Sequence, residues 1–312
     1  MRNFLLNIFK LIILTVSVLV LSLFLIPDKV SQTSILGALT DKHMMLQNIH
    51  SQKIILLGGS NVSFGMNSEK LIEKYHKPVV NMGIHAGLGL EYIVNDIKPF
   101  INKGDLLILI PEYEHFYTNN FYGEMELVSV VFDVEPKSKH LLNYTQWLHL
   151  LKYIPSYSAK KIKNYIPSLI HKKSNIVDIY HRNSFNEFGD ATIHWALPTQ
   201  SYLHAPQNNG NETVNEEVID LLKSFKSFVK GKGAQLIIFP PVIDQTSYDH
   251  QKVVINKIAE DLKKNDLAFA TNPLAYRYDN ALFFNSYYHL NKKGLDKRTQ
   301  QLINDIDSLK GE

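Results

Sequence analysis

The chain has 312 residues, 45% of them hydrophobic, enough for one large domain or two small ones with a substantial core. Its 33 basic and 30 acidic residues leave a net charge of +3 and are scattered, so there is no field of the kind that marks a nucleic-acid-binding protein. With no cysteine, disulfides, thiolate metal sites and a thiol nucleophile are excluded.

From Phe4 to Ile26 the sequence is almost wholly apolar apart from Asn7 and Lys10, about one bilayer thickness as a helix. Arg2 and Lys10 lie on the amino-terminal side and Pro27-Asp28-Lys29 on the other, which by the positive-inside rule keeps the short tail cytoplasmic. Residues 1–27 therefore read as a membrane signal anchor, with the rest extracytoplasmic, in the periplasm or at the cell surface. A cleaved signal peptide is the competing reading, but Leu-Phe-Leu-Ile-Pro lacks the small-residue cleavage pattern. Residues 28–52 are polar and mixed and read as a tether with one helical turn; residues 53–312 read as the folded domain.

That domain opens with Lys53 to Asn67, KIILLGGSNVSFGMN. Ile54 to Leu57 predict a strand buried on both faces, and Gly58-Gly59 release the chain into a turn that presents Ser60 at the carboxyl edge of a sheet. A βα loop with a helix-capping serine is the plainer reading of the same residues. A helix from about Ser68 (SEKLIEKYH), a strand through Val79 to Met82, a helix across Leu90 to Ile101 and the run Leu106 to Ile110 follow. Strand and helix alternating with short connections predict an α/β, doubly wound parallel sheet.

Between residues 116 and 211 the pattern loosens into an insertion over the active face, with helices near Tyr144 to Tyr153 and Ala159 to Ile170, and Gln207 to Asn211 as its exit loop. Tyr144, Trp147, Tyr153 and Trp195 are its candidates for stacking on sugar faces. Lys160-Lys161-Ile162-Lys163 and Lys172-Lys173 read as solvated faces, and Glu187 to Asp190 as a capped turn rather than a substrate-facing loop. Regular sequence resumes with a helix over Glu216 to Lys230 and a strand from Gln235. A helix at His250 to Lys264, a fifth strand at Leu267 to Ala270 and a last helix over Leu295 to Leu309 complete the pattern.

Ser60-Asn61, Asn81-Met82-Gly83 and Pro111-Glu112-Tyr113 thus fall on one edge, and Asn285 to Asn291 brings a late histidine, His289, to the same place. A serine hydroxyl becomes a nucleophile when a neutral imidazole takes its proton and N–H groups hold the oxyanion. No HExxH or clustered carboxylate pattern points to a metal, and no cofactor is expected.

On GGSN, NMG and NSYYHLN the chain resembles the SGNH or GDSL hydrolase superfamily, over roughly Lys53 to Leu309. The resemblance implies a flavodoxin-like three-layer fold with about five parallel strands. It also implies Ser60 as nucleophile and first oxyanion donor, Gly83 as the second donor and His289 as base. Two positions depart from the family pattern. The third block, IPEYEHF, has Glu112 or Tyr113 near the place of the usual Asn, and the usual Asp three residues before the histidine is Ser286, with Asn285 at four. Asn285 or Ser286 is then the imidazole's orienting group, Asp279 or Glu112 an acid drawn from elsewhere, and Asn61 a supporting residue.

An outward-facing, membrane-anchored domain of this type looks like the accessory proteins that acylate surface polymers, such as the D-alanyl transfer protein of Gram-positive walls and the alginate acetylation proteins. The expected function is a serine-dependent O-acyltransferase or esterase acting on a surface glycan, partnered by a multi-spanning membrane acyltransferase. The alternative is a catalytically incomplete, membrane-tethered glycan-binding or assembly protein.

Overall fold

A computed structural model describes residues 1–168 and 178–311. The chain begins with helix α1 (Arg2–Leu25), whose surface is largely exposed and which is long and apolar enough to cross a membrane. Short helix α2 (Lys29–Thr33) follows, capped by Asp28, and then α3 (Ala38–Asn48). Here the structure departs from the tether expected over residues 28–52. Leu36, Ala38, Leu39 and Leu46 are buried in the main core, because these apolar residues fall on one face of a continuous helical stretch rather than in a polar linker.

Strands β1 (Ile54–Gly58), β2 (Val79–Asn81), β3 (Leu106–Ile110) and β4 (Gln235–Ile238) form one parallel sheet in the order β2-β1-β3-β4. Between them run α4 (Ser60–Ser63), α5 (Ser68–Tyr75) and α6 (Leu90–Ile97), and, within the expected insertion, α7 (Met125–Ser129), α8 (Tyr144–Leu150) and α9 (Ile154–Ser168). α10 (Glu216–Gly231) leads into β4, and α11 (Gln245–Lys264) and α12 (Lys292–Gly311) complete the helices. The helix expected at Ala159 to Ile170 is thus part of α9, which begins earlier; residues 169–170 and Lys172-Lys173 lie outside the described residues.

Strand side chains alternate between two cores. Ile55, Leu57, Leu107 and Leu109 join the cluster covered by α3, α6, α10 and α11, while Ile54, Leu56, Ile108 and Ile110 join the one covered by α5 and α12. Helices on both faces explain why β1 and β3 are apolar at every position. At the amino edge the two strands are pinned by an ion pair with no solvent exposure, Lys53 Nζ to Asp105 Oδ2 at 2.7 Å. β1 lies between β2 and β3, so successive crossovers leave in opposite directions and open a crevice at the carboxyl ends.

The fifth strand expected at Leu267 to Ala270 does not join the sheet. Ala270 donates one backbone bond to Ile238, and the chain then turns through Thr271-Asn272-Pro273, where proline has no N–H to continue a ladder. A separate two-stranded sheet pairs β5 (Ile243–Asp244) with β6 (Arg277–Tyr278) instead.

Candidate active site

Three backbone loops meet where β1 ends. A Cβ on Gly58 would lie 2.5 Å from the Ile110 carbonyl, and one on Gly59 would lie 2.7 Å from Glu112 Oε1 and 2.9 Å from the Ala86 nitrogen. Glycine is required for that approach. Ser60, half-buried, is the first residue of α4. Its hydroxyl donates to Glu112 Oε1 over a long 3.4 Å, the Asn61 N–H donates to the same oxygen at 3.2 Å, and Asn61 Nδ2 donates to the Ile110 carbonyl at 3.1 Å. From α12, the fully buried Arg298 donates Nη1 to the Asn61 carbonyl at 2.6 Å and braces the turn from beneath.

Glu112 is buried, and burial followed by the neighbouring Glu114 pushes its carboxyl up to about 8. At neutral pH it is a carboxylic acid and therefore a hydrogen-bond donor as well as an acceptor. Glu114 is held apart by the hydroxyls of Tyr287 and Tyr288, at 3.2 and 2.9 Å.

Gly83 is pressed against the same turn, where a Cβ would lie 2.6 Å from the Ser63 nitrogen and 2.9 Å from the Gly59 carbonyl. Its N–H donates to Asn81 Oδ1 at 2.9 Å, so this proposed oxyanion donor is already engaged by its own loop. The Gly83 carbonyl accepts from Lys42, which also donates to the Gly189 carbonyl at 2.8 Å and lies 4.2 Å from the centre of the Phe185 ring. Complete burial lowers the Lys42 pKa to about 7 against the opposing pull of Asp190. Asp190 in turn accepts from Asn81 Nδ2 at 2.8 Å and from the Ser68 N–H and hydroxyl, both at 2.7 Å. Glu187 to Asp190 is the turn expected, with Asn186 Oδ1 accepting from the Phe188 and Asp190 N–H groups.

His289 is oriented by Asn285 and not by Ser286. Nδ1 lies 2.8 Å from Asn285 Oδ1, while Asn285 Nδ2 donates to the Tyr180 hydroxyl at 2.8 Å, which leaves the amide oxygen as the acceptor. The imidazole proton therefore resides on Nδ1 and the lone pair on Nε2. Ser286 instead accepts from the Tyr288 N–H, and Asp279 caps a turn at Ala281; neither they nor Glu112 bond the imidazole. The His289 ring stacks on Phe64 with centroids 4.4 Å apart, and the Phe64 N–H donates to the Ser60 carbonyl at 2.9 Å. The imidazole thus packs on the side chain of a residue one helical turn after Ser60. Burial, then His194 and His85, pushes its pKa down to about 3, so it is neutral. Among the described residues no hydrogen bond joins Ser60 to His289.

Of the expected aromatic wall, Tyr144 is exposed, Trp147 and Tyr153 pack partly against the main core, and Trp195 lies under the Lys292 ammonium at 4.5 Å. Sequence reasoning did not single out Lys42, Phe64, Tyr180 or Arg298. A basic residue on the helical face of Leu295, Leu302 and Ile306 was a readable signal for Arg298; for Lys42, Tyr180 and Phe64 there was none.

No protein-family model matches this chain, and no curated protein matches it. The functional reading therefore rests on the site itself.

Proposed function

We propose that the protein is a membrane-anchored, extracytoplasmic serine O-acyltransferase or esterase of the SGNH type, acting on a surface glycan. The observation that carries this is the fixed tautomer of His289, a neutral imidazole with its lone pair on Nε2, stacked on the residue one helical turn after a half-buried serine at the crevice of a parallel sheet. The strand order β2-β1-β3-β4 is compatible with a flavodoxin-like SGNH core, and the apolar α1 with an anchor.

In this reading the Ser60 hydroxyl turns from Glu112 toward His289, and Ser60 Oγ attacks an acyl carbonyl as its proton passes to His289 Nε2. The tetrahedral intermediate collapses when the leaving oxygen takes that proton, and the acyl group stays on Ser60. A glycan hydroxyl, or water in the esterase variant, then gives its proton to Nε2 and receives the acyl group, and Ser60 recovers its proton. With the Gly83 N–H engaged, the protonated Glu112 carboxyl supplies the donor that the superfamily takes from an Asn. Asn285 orients the imidazole but carries no charge to stabilise imidazolium, so turnover is slow. A multi-spanning membrane acyltransferase is the partner that would deliver the acyl group.

The test is turnover of an acetylated glycan by the purified full chain and by Ser60→Ala. Loss of turnover with an unchanged melting temperature supports the enzyme; glycan binding by both proteins without turnover by either supports the tethered binding protein.

A further inference from the structure

Residues 136–168, which include α8 and α9, contain six lysines and neither Asp nor Glu. On α8 and just beyond it, Tyr144, Leu148 and Leu151 are 76%, 50% and 54% exposed and recur at i, i+4 and i+7, so one helical face turned to the outside is apolar. Soluble helices turn that face inward. Lys137, Lys152 and Lys163 are exposed around it.

This patch is joined to the carboxyl end of α1. Phe24 meets Phe132 edge-on at 5.7 Å, Phe132 meets Trp147 of α8 at 6.2 Å, and the Lys139 ammonium lies 4.4 Å from the Phe132 ring centre. α9 packs on the last turns of α1, where Lys161 donates to the Leu23 carbonyl at 2.8 Å and pairs with Asp133 at 2.8 Å; it is buried there, not on the solvated face expected for residues 160–163. The 24 residues of α1 are about 36 Å long against a hydrocarbon core of about 30 Å. With its amino end at one surface, its last turn reaches the opposite headgroup level, where α9 packs on it and Phe132 links it to α8.

We propose that α8 and α9 form an interfacial platform that lies on the anionic lipid headgroups beside the anchor, with Tyr144, Leu148 and Leu151 at the acyl boundary and Lys137, Lys152 and Lys163 on the phosphates. Basic amphipathic helices with aromatic residues bind membranes in this way. The inference rests on reading α1 as an anchor. It assigns Tyr144 to the membrane instead of the glycan, and it holds the domain close to the bilayer instead of on a free tether.

The chain has no cysteine, so single nitroxide labels can be placed on the full protein in discs of phosphatidylcholine with phosphatidylglycerol. Labels at Leu148→Cys and Leu151→Cys are expected to collide with oxygen several-fold more, relative to an aqueous nickel chelate, than labels at the comparably exposed Val253→Cys and Leu274→Cys. Replacing Lys137, Lys152 and Lys163 by Gln, or using phosphatidylcholine alone, should lower that ratio towards the controls. A label at Leu14→Cys reports the anchor. If it is in lipid while Leu148 and Leu151 match the controls, the platform is wrong and the anchor stands; if it is in water, both fall. Shielding of Leu148 that arises only with an added acidic polysaccharide, or disulfide capture of a second copy through Leu148→Cys, would also overturn the proposal.

Discussion

A carboxamide stands where an imidazole base would gain most from a carboxylate. Asn285 fixes the tautomer of His289, but the ring stacks on Phe64, no carboxylate among the described residues hydrogen-bonds it, and burial holds its pKa at about 3. Asn285→Asp should raise the imidazole pKa and increase turnover by about tenfold or more, whereas Ser286→Asp should not, because that side chain faces the Tyr288 N–H. Stopped-flow turnover across pH checks both. The profile of the wild-type protein should stay flat on its acid side down to the limit of folding, and that of Asn285→Asp should bend at higher pH. The unfolded chain takes up a proton at this position below about pH 6.5 that the folded chain refuses, so acidification destabilises the fold. His289→Gln should therefore lose about 2–3 kcal/mol less than wild type between pH 6.5 and 4.5, measured by urea unfolding. His115 and His194, each lowered to about 4 by burial, keep the variant partly acid-sensitive. At Glu112 the neutral acid predicts that Glu112→Gln, which keeps both a donor and an acceptor, retains turnover while Glu112→Ala loses about 10²–10³-fold in kcat.

At the scale of elements, the sheet was legible in the sequence because β1 and β3 are unbroken apolar runs that end in glycine or proline. Buried parallel strands need such runs. That Leu267 to Ala270 stays out of the sheet was not legible, since the segment has the composition of a strand and only the later proline turn stops its ladder. Nor was α3: polar residues of DKHMMLQN hide the spacing of Leu39, Lys42 and Leu46, and Lys42 looks like a surface lysine until the carbonyls of Gly83 and Gly189 are placed around it. Ser60 and His289 could be singled out from motif position alone. Tyr180 and Phe64 could not, because their role comes from contacts between loops distant in sequence. Lys42→Met would leave two buried carbonyls unsatisfied, costing about 1–3 kcal/mol in chemical unfolding, and would lower turnover by loosening the Gly83 loop. Asp105→Ala at the opposite edge should cost about 3–5 kcal/mol by stranding Lys53, with no specific effect on the site once the protein is folded.

For the whole molecule, the consequence of α3 is that chain emerging from α1 enters the core within a dozen residues, through α2 and Leu36. With α1 as the proposed anchor, this places the domain at the bilayer surface, where the proposed membrane-embedded partner would deliver the acyl group. A reporter fused after Glu312 should be active outside the cytoplasm and remain with membranes; activity confined to the cytoplasm would contradict the orientation. The most direct measurement is mass spectrometry of the full protein after brief exposure to an activated acyl ester. An acyl adduct on the peptide containing Ser60, absent in Ser60→Ala and formed far more slowly in His289→Ala, is the expected result. Exposure that leaves Ser60 unmodified, or modifies it equally fast in His289→Ala, would contradict a Ser60–His289 acyl-transfer site.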